Sequence, residues 1–171
     1  MIAVRPYRPD DRAACKKIYY RAVQEGAARF YSQPHRDAWA GTPEPDLTQP
    51  DKLLDQWAFV SEENGTPTGF MSLCPDGYLD MAFVVPEVMG QGHAAALYEA
   101  VLDQAKAAKL TRLTVHASHL ARRFFARRGW QVDEEQRHPY NGLVFERFAM
   151  SLDLAATGGD RQVPARPDGD D

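Results

Sequence analysis

Three features of the sequence predict an α/β (α+β) fold built on a mixed central sheet. Short runs rich in aromatic and β-branched residues alternate with amphipathic stretches of helical spacing. Asn64-Gly65 and Asp76-Gly77 are turn signals that link three consecutive strand runs. Beyond residue 90 a long helix, a strand and a second helix follow, and two strands close the pattern. The order of elements is therefore β-α-(α)-β-β-β-α-β-α-β-β.

Taken in order, Ile2 and Val4 lie in a first strand that runs to Tyr7. Pro9-Asp10-Asp11 reads as a helix start, with an acid placed to cap free N–H groups. Ala14, Ile18, Ala22 and Val23 then mark one helical face. Residues 30–49 are rich in aromatics and proline and predict a short helix with a long loop. Residues 57–60 and 69–73 form a hairpin about Asn64-Gly65, and Tyr78 to Val85 is a largely apolar, central strand ended by Pro86. Gly92 to Lys109 is a long helix with Leu97, Val101, Ala105 and Ala108 on one face. Leu113 to Ala117 is a strand, and Leu120 to Arg128 a short basic helix closed by Gly129. The last strands lie around 130–132 and 143–152. Residues 155–171 contain little that packs and predict a disordered tail beyond one domain of residues 1–154.

Composition excludes several classes of function. The 171 residues carry 24 acids against 20 bases, a net charge of −4. No basic block exceeds Arg122-Arg123 or Arg127-Arg128, so nucleic acid is not the expected partner. Cys15 and Cys74 are isolated, which suits two free thiols in a reducing cytoplasm. No apolar run approaches the ~18 residues of a membrane span, and Met1 to Tyr7 does not resemble a secretory leader.

The chemistry concentrates at Met89-Gly90-Gln91-Gly92-His93-Ala94, between the central strand and the long helix. Glycines there permit positive φ and let an anion approach several backbone amides. A helix N-terminus adds unpaired N–H donors and the positive end of its dipole. Gly90-x-Gly92-x-x-Ala95 also satisfies the dinucleotide fingerprint. That reading fails on context: the turn follows hairpins in mid-chain, and the strand at 113–117 ends without a ribose-binding acid.

The strand from Tyr78 to Pro86, the turn and its helix resemble the core motif of the GNAT acyltransferase superfamily, Arg/Gln-x-x-Gly-x-Gly/Ala after a strand ending in Val-x-Pro. Ser118-x-x-Ala121-x-x-Phe124-Phe125-x-x-x-Gly129-Trp130 is similar to its second motif, Asn/Ser-x-x-Ala-x-x-Phe-Tyr-x-x-x-Gly-Phe. The segments around Phe30-Tyr31-Ser32 and Ala38-Trp39 are similar to small uncharacterised bacterial members. The resemblance covers residues 2–153. It implies helices flanking the mixed sheet and two splayed parallel strands that admit the pantetheine arm of acetyl-CoA. Phe83, Val84 and Val85 would meet that arm. Met89, Gly90, Gln91, Gly92, His93, Ala94 and Ala95 would hold the pyrophosphate. Ser118, Ala121, Phe124, Phe125 and Arg128 would complete the cofactor site, with Arg122 a further phosphate candidate.

The implied reaction moves an acetyl group from acetyl-CoA to a primary amine, taken here as that of a small molecule. Alternatives are a protein N-terminus or lysine as acceptor, or a catalytically weak CoA-binding sensor or partner module. Homodimers are common in the family. Two positions depart from its pattern: Phe125 stands where a proton-donating Tyr is usual, and Met89 where Arg or Gln is usual. Asp80, in an apolar strand, is the candidate general base acting through water. Tyr20, Tyr31, His35 and Trp39 are candidates to line an acceptor pocket. His116 and His119 lack a third ligand nearby in sequence, so no metal is expected.

Overall fold

Strand β1 (Ile2–Pro6) leads through a 3-10 turn at Pro9–Asp11 into helix α1 (Arg12–Arg21), in a computed structural model that describes residues 1–154. The tail expected at 155–171 lies outside the described residues. Asp11 does not cap α1 as expected. Its carboxylate instead accepts from the Arg8 amide at 2.8 Å and from both terminal nitrogens of Arg5 at 2.8 Å. The acid thus ties β1 to the helix start.

Helix α1 runs on into a π turn at Ala22–Gly26, and α2 (Gln33–Ala40) follows, capped by Ser32. Cys15, Ile18, Ala22 and Val23 are buried, so Cys15 takes the place expected of Ala14. Strands β2 (Trp57–Glu63), β3 (Thr66–Leu73) and β4 (Tyr78–Val84) form the hairpins. Helix α3 (His93–Ala107), β5 (Arg112–Ala117), α4 (His119–Arg127), β6 (Gln131–Tyr140) and β7 (Leu143–Asp153) complete the described residues.

The seven strands make one sheet in the order β1-β2-β3-β4-β5-β7-β6. All neighbours are antiparallel except β4 and β5. These two pair in parallel only at Tyr78↔Thr114 and Leu79↔Val115, and their C-terminal halves diverge. One core layer, with Met71, Leu97, Val101, Leu113, Phe125 and Trp130, packs α3 and α4 on one face. A second, with Cys15, Ile18, Val60 and Phe70, packs α1 on the other.

Strand β6 is ten residues long where hydropathy marked only three. It is an edge strand whose Asp133, Glu134 and Glu135 are exposed, so no apolar face reveals it in the sequence. Pairing with β7 alone organises it.

Candidate active site

The turn after β4 has the geometry of an anion cradle. Pro86–Val88 forms a 3-10 turn, and Gly90 and Gly92 adopt φ of 77° and 90°, conformations that disfavour a Cβ. The first α-helical bond is donated by Ala96 to the Gly92 carbonyl. The amides at the start of α3 therefore have no carbonyl one turn back and project from the helix end.

A cavity of about 140 Å³ opens beside this turn into the cleft between β4 and β5. Phe83, Val84, Met89, Gly90, Gly92, Ala94, Ala95, Ser118, Ala121 and Phe124 line it, as do Ala82, Leu97 and Trp39. The Val85 amide donates to the Thr68 carbonyl of β3, and Val84 faces Gly69 in the register. Antiparallel alternation then turns the backbone groups of Val84 and Ala82 away from β3, toward the cleft. Phe83 and Val85 direct theirs back at β3, so Ala82, unmarked in the sequence, replaces them as a source of main-chain partners.

The side chains of four other residues expected at the cofactor do not line this cavity. His93 is 1% exposed and faces β2 and β3, where its Nδ1 meets Thr68 Oγ1 at 2.8 Å. Thr68 Oγ1 in turn meets Ser61 Oγ at 2.9 Å, and Glu63 lies 3.8 Å from His93 Nε2. This buried chain fixes the first residue of α3, so His93 contributes to the cradle through its main chain. Thr68→Val keeps the shape but leaves two buried polar atoms short of a partner. It is expected to cost about 1–3 kcal/mol, read as a lower urea midpoint with unchanged slope.

Gln91 turns its amide onto the Glu87 carbonyl at 2.8 Å. Arg128 lies over the Phe124 ring at 3.7 Å and donates to the Phe124 carbonyl, while Arg122 lies over Phe148 at 4.3 Å. Phe125 is 1% exposed and packs on Trp130 with ring centroids 4.9 Å apart. Helical rotation of 100° separates adjacent side chains, so Phe124 faces the cavity and Phe125 the core.

A second cavity, of about 360 Å³, adjoins the first. Trp39 and Ser118 line both, and so mark the junction. Tyr19, Tyr31, Tyr78, Tyr140 and Phe145 join Trp39 in an aromatic wall, with Asp80, His116, His138, Glu146 and Arg147 as charged or titratable members. Asp80 reaches this wall through a β-bulge. Ser72 faces Met81 and Leu73 faces Leu79, which leaves Asp80 as the extra residue. Its Oδ2 takes an ion pair from Lys52 at 3.0 Å and a hydrogen bond from Gln56 at 3.0 Å. The expected burial among apolar side chains is thus replaced by paired contacts on the cavity wall.

Of the expected acceptor residues, Tyr31 and Trp39 line this cavity and Tyr20 does not. His35 is held outside it, donating from Nε2 to the Val144 carbonyl at 3.0 Å, with Nδ1 at 2.7 Å from Ser32 Oγ. His119 pairs with Glu146 at 2.9 Å, while His116 meets Tyr78. Burial raises the Tyr78 hydroxyl, with Asp80 adding to it, and burial foremost lowers His116. The contributions of β6 and β7 were missed because they depend on register: His138 lies opposite Phe145, and i, i+2 alternation puts Phe145 and Arg147 on one face.

The acetyltransferase (GNAT) domain family matches residues 21–152. The chain is 35% identical over 149 residues to the uncharacterized N-acetyltransferase YafP of Escherichia coli (strain K12), covering 87% of this chain and 94% of that one. A GCN5-related N-acetyltransferase from Rhodopseudomonas palustris superposes with a TM-score of 0.82 at 31% identity, over 89% of this chain and 95% of that one. YncA of Salmonella typhimurium, solved with acetyl-CoA, shares the fold with a TM-score of 0.65 at 21% identity, over 96% and 98% of the two chains. With both motifs, the splayed parallel strands and the cradle in place, these matches establish that the chain belongs to the GNAT family of acetyltransferases.

Proposed function

We propose that this acetyl-CoA-dependent N-acetyltransferase acts on the primary amine of a small molecule, by direct transfer. The observation that carries the reading is the junction at Trp39 and Ser118. It joins an apolar cleft beside an anion cradle to a second cavity walled by six aromatic rings and two carboxylates. The residues present fit acetyl-CoA. The amides at the start of α3 suit its pyrophosphate, and the Ala82 and Val84 main chain suits its pantetheine amides. When bound, it supplies an activated acyl carbon and a thiolate leaving group.

The rings of the second cavity favour an amine by cation–π contact and bind its carbon frame. A cavity of about 360 Å³ with an aromatic wall suits the carbon frame of a compact acceptor. The free thiols Cys15 and Cys74 and the absence of a helix able to cross a membrane, among the described residues, accord with a cytoplasmic setting.

Thiol release from acetyl-CoA, measured against arylalkyl and aliphatic amines and against peptides with free N-termini or lysines, tests the acceptor class. Small amines should give the higher kcat/KM; a peptide that outcompetes them tenfold would overturn it. A Phe125→Tyr variant should not turn over faster, because the new hydroxyl enters a closed apolar core. It is expected to lose about 1–3 kcal/mol of stability instead. A clear rise in kcat would place ring 125 at the thioester.

A further inference from the structure

We propose that His116 carries the proton from the acceptor amine to the departing thiolate, with Tyr78 orienting its imidazole. The inference rests on the acetyl-transfer reading above.

The first cavity contains no titratable side chain among its lining residues, and Phe125, turned into the core, carries no proton to give. The titratable side chains next to the cleft therefore lie on the second cavity. His116 stands at the right place on it. It is the first residue of β5 beyond the segment paired with β4, where the cleft begins to open. It also precedes junction residue Ser118 by two positions, and Ser118 continues the extended backbone. Alternation puts both side chains on one face, roughly 6–7 Å apart along the strand, a gap that an amine or one water spans.

Tyr78 holds the ring. His116 Nδ1 lies 3.2 Å from the Tyr78 hydroxyl, and the two rings meet edge to face with centroids 5.5 Å apart. In the tautomer proposed for the transfer, Nδ1–H donates to that oxygen and the lone pair resides on Nε2.

The competing carboxylates are engaged. Asp80, from β4, is paired with Lys52 and Gln56, and Glu146, from β7, with His119. Arg147, from β7, donates to Gln136. His138 and Tyr140 face the cavity from edge strand β6, and Tyr19 and Tyr31 close it from the helical side. Burial, then the nearby Arg147 and His138, hold the His116 imidazole below its ordinary value. It is neutral at pH 7, the state that accepts a proton.

The step balances without a further reagent. The amine, its ammonium proton already given up to water, uses its lone pair to form the C–N bond to the acetyl carbon while His116 Nε2 takes one of the two remaining N–H protons. The C–S bond breaks with its electron pair on sulfur. The imidazolium returns the proton to that sulfur, directly or through one water, leaving neutral His116, the amide and free CoA thiol.

The test uses the full chain with the best amine of the panel. His116→Gln should lower kcat by about 100-fold or more and abolish the acid limb of the kcat/KM profile. The Kd for acetyl-CoA should stay within about twofold. Tyr78→Phe should lower kcat about tenfold with little change in KM and keep a displaced acid limb. In the protein without substrates, an NMR titration of the His116 ring should give a midpoint below that of free histidine. A His116→Gln enzyme that keeps the acid limb, or a kcat within threefold, overturns the assignment alone. So does a His116 midpoint at or above the ordinary value. Absence of transfer by the wild type to any amine, with acetyl-CoA bound, would overturn the underlying reading as well.

Discussion

Gly92→Asp should weaken acetyl-CoA binding by about two to three orders of magnitude while the protein stays folded. Gly92 is the residue before α3, with φ of 90°. Aspartate is among the side chains that tolerate positive φ, and it is a favoured helix cap. Its carboxylate would take up the amide donors offered to the pyrophosphate and repel the ligand as well. Two like charges about 4 Å apart, at an effective dielectric near 20, cost about 4 kcal/mol, or roughly a thousandfold. Gly92→Ala carries only the conformational cost of about 1–2 kcal/mol and should lose tenfold or less. Its added Cβ would meet Ile2 Cδ1 at 3.8 Å, an ordinary contact. Calorimetric titration separates the two variants, and melting curves verify the fold. Acetyl-CoA binding by the Asp variant within threefold of wild type would remove the cradle from this turn.

Asp11→Asn should be among the most destabilising single substitutions outside the hydrophobic layers. The carboxylate is 8% exposed and held by both terminal nitrogens of Arg5, whose side chain is 18% exposed. Removing one partner of such a pair leaves a charge with poor solvation and costs about 3 kcal/mol. Glu62, 3.2 Å from Arg5 Nε, keeps the loss at the lower end. For a chain of this size the melting temperature should fall by about 6–12 °C.

The effect has a defined pH dependence. The Arg5 hydrogen bonds, ahead of every other influence, hold the Asp11 carboxyl below the usual carboxylate range. The unfolded chain therefore binds the proton more readily than the folded one, and acid favours unfolding. The stabilisation is complete above the ordinary aspartate value of about 4 and disappears as pH falls through the lower, folded value. Wild type and Asp11→Asn should converge in urea stability near the acid end and separate at neutral pH. A difference that stays constant from neutral pH to below pH 3 would contradict this account of the pair.

Much of the fold was legible in advance because its signals are local. Glycines at positive φ, hairpin turns and apolar periodicity each act over a few residues, and together they located every helix and strand. The exception in extent was β6, whose charged residues carry no periodic apolar face because both of its faces meet solvent. The signals behind the proposed cofactor cleft are local too. The cradle proposed at the start of α3 uses Gly90 and Gly92, two positions apart, and Ser118, Ala121 and Phe124 recur at helical spacing from the N-cap of α4 onward.

What sequence by itself determined is thus the set of elements, the family and the approximate place of the cradle. Tertiary structure alone decided which side chains face that cradle and which face the core. His93 and Phe125 are one residue away from cavity-lining positions, yet helical rotation turns both into the interior. It also assembled the second cavity, where Tyr78, His116 and Phe145 come from three strands brought together by the order β4-β5-β7. That order depends on long-range pairing of residues tens of positions apart, and no local pattern encodes the register. The bulge at Asp80 belongs to the same category, since an extra residue exists only relative to the strand beside it.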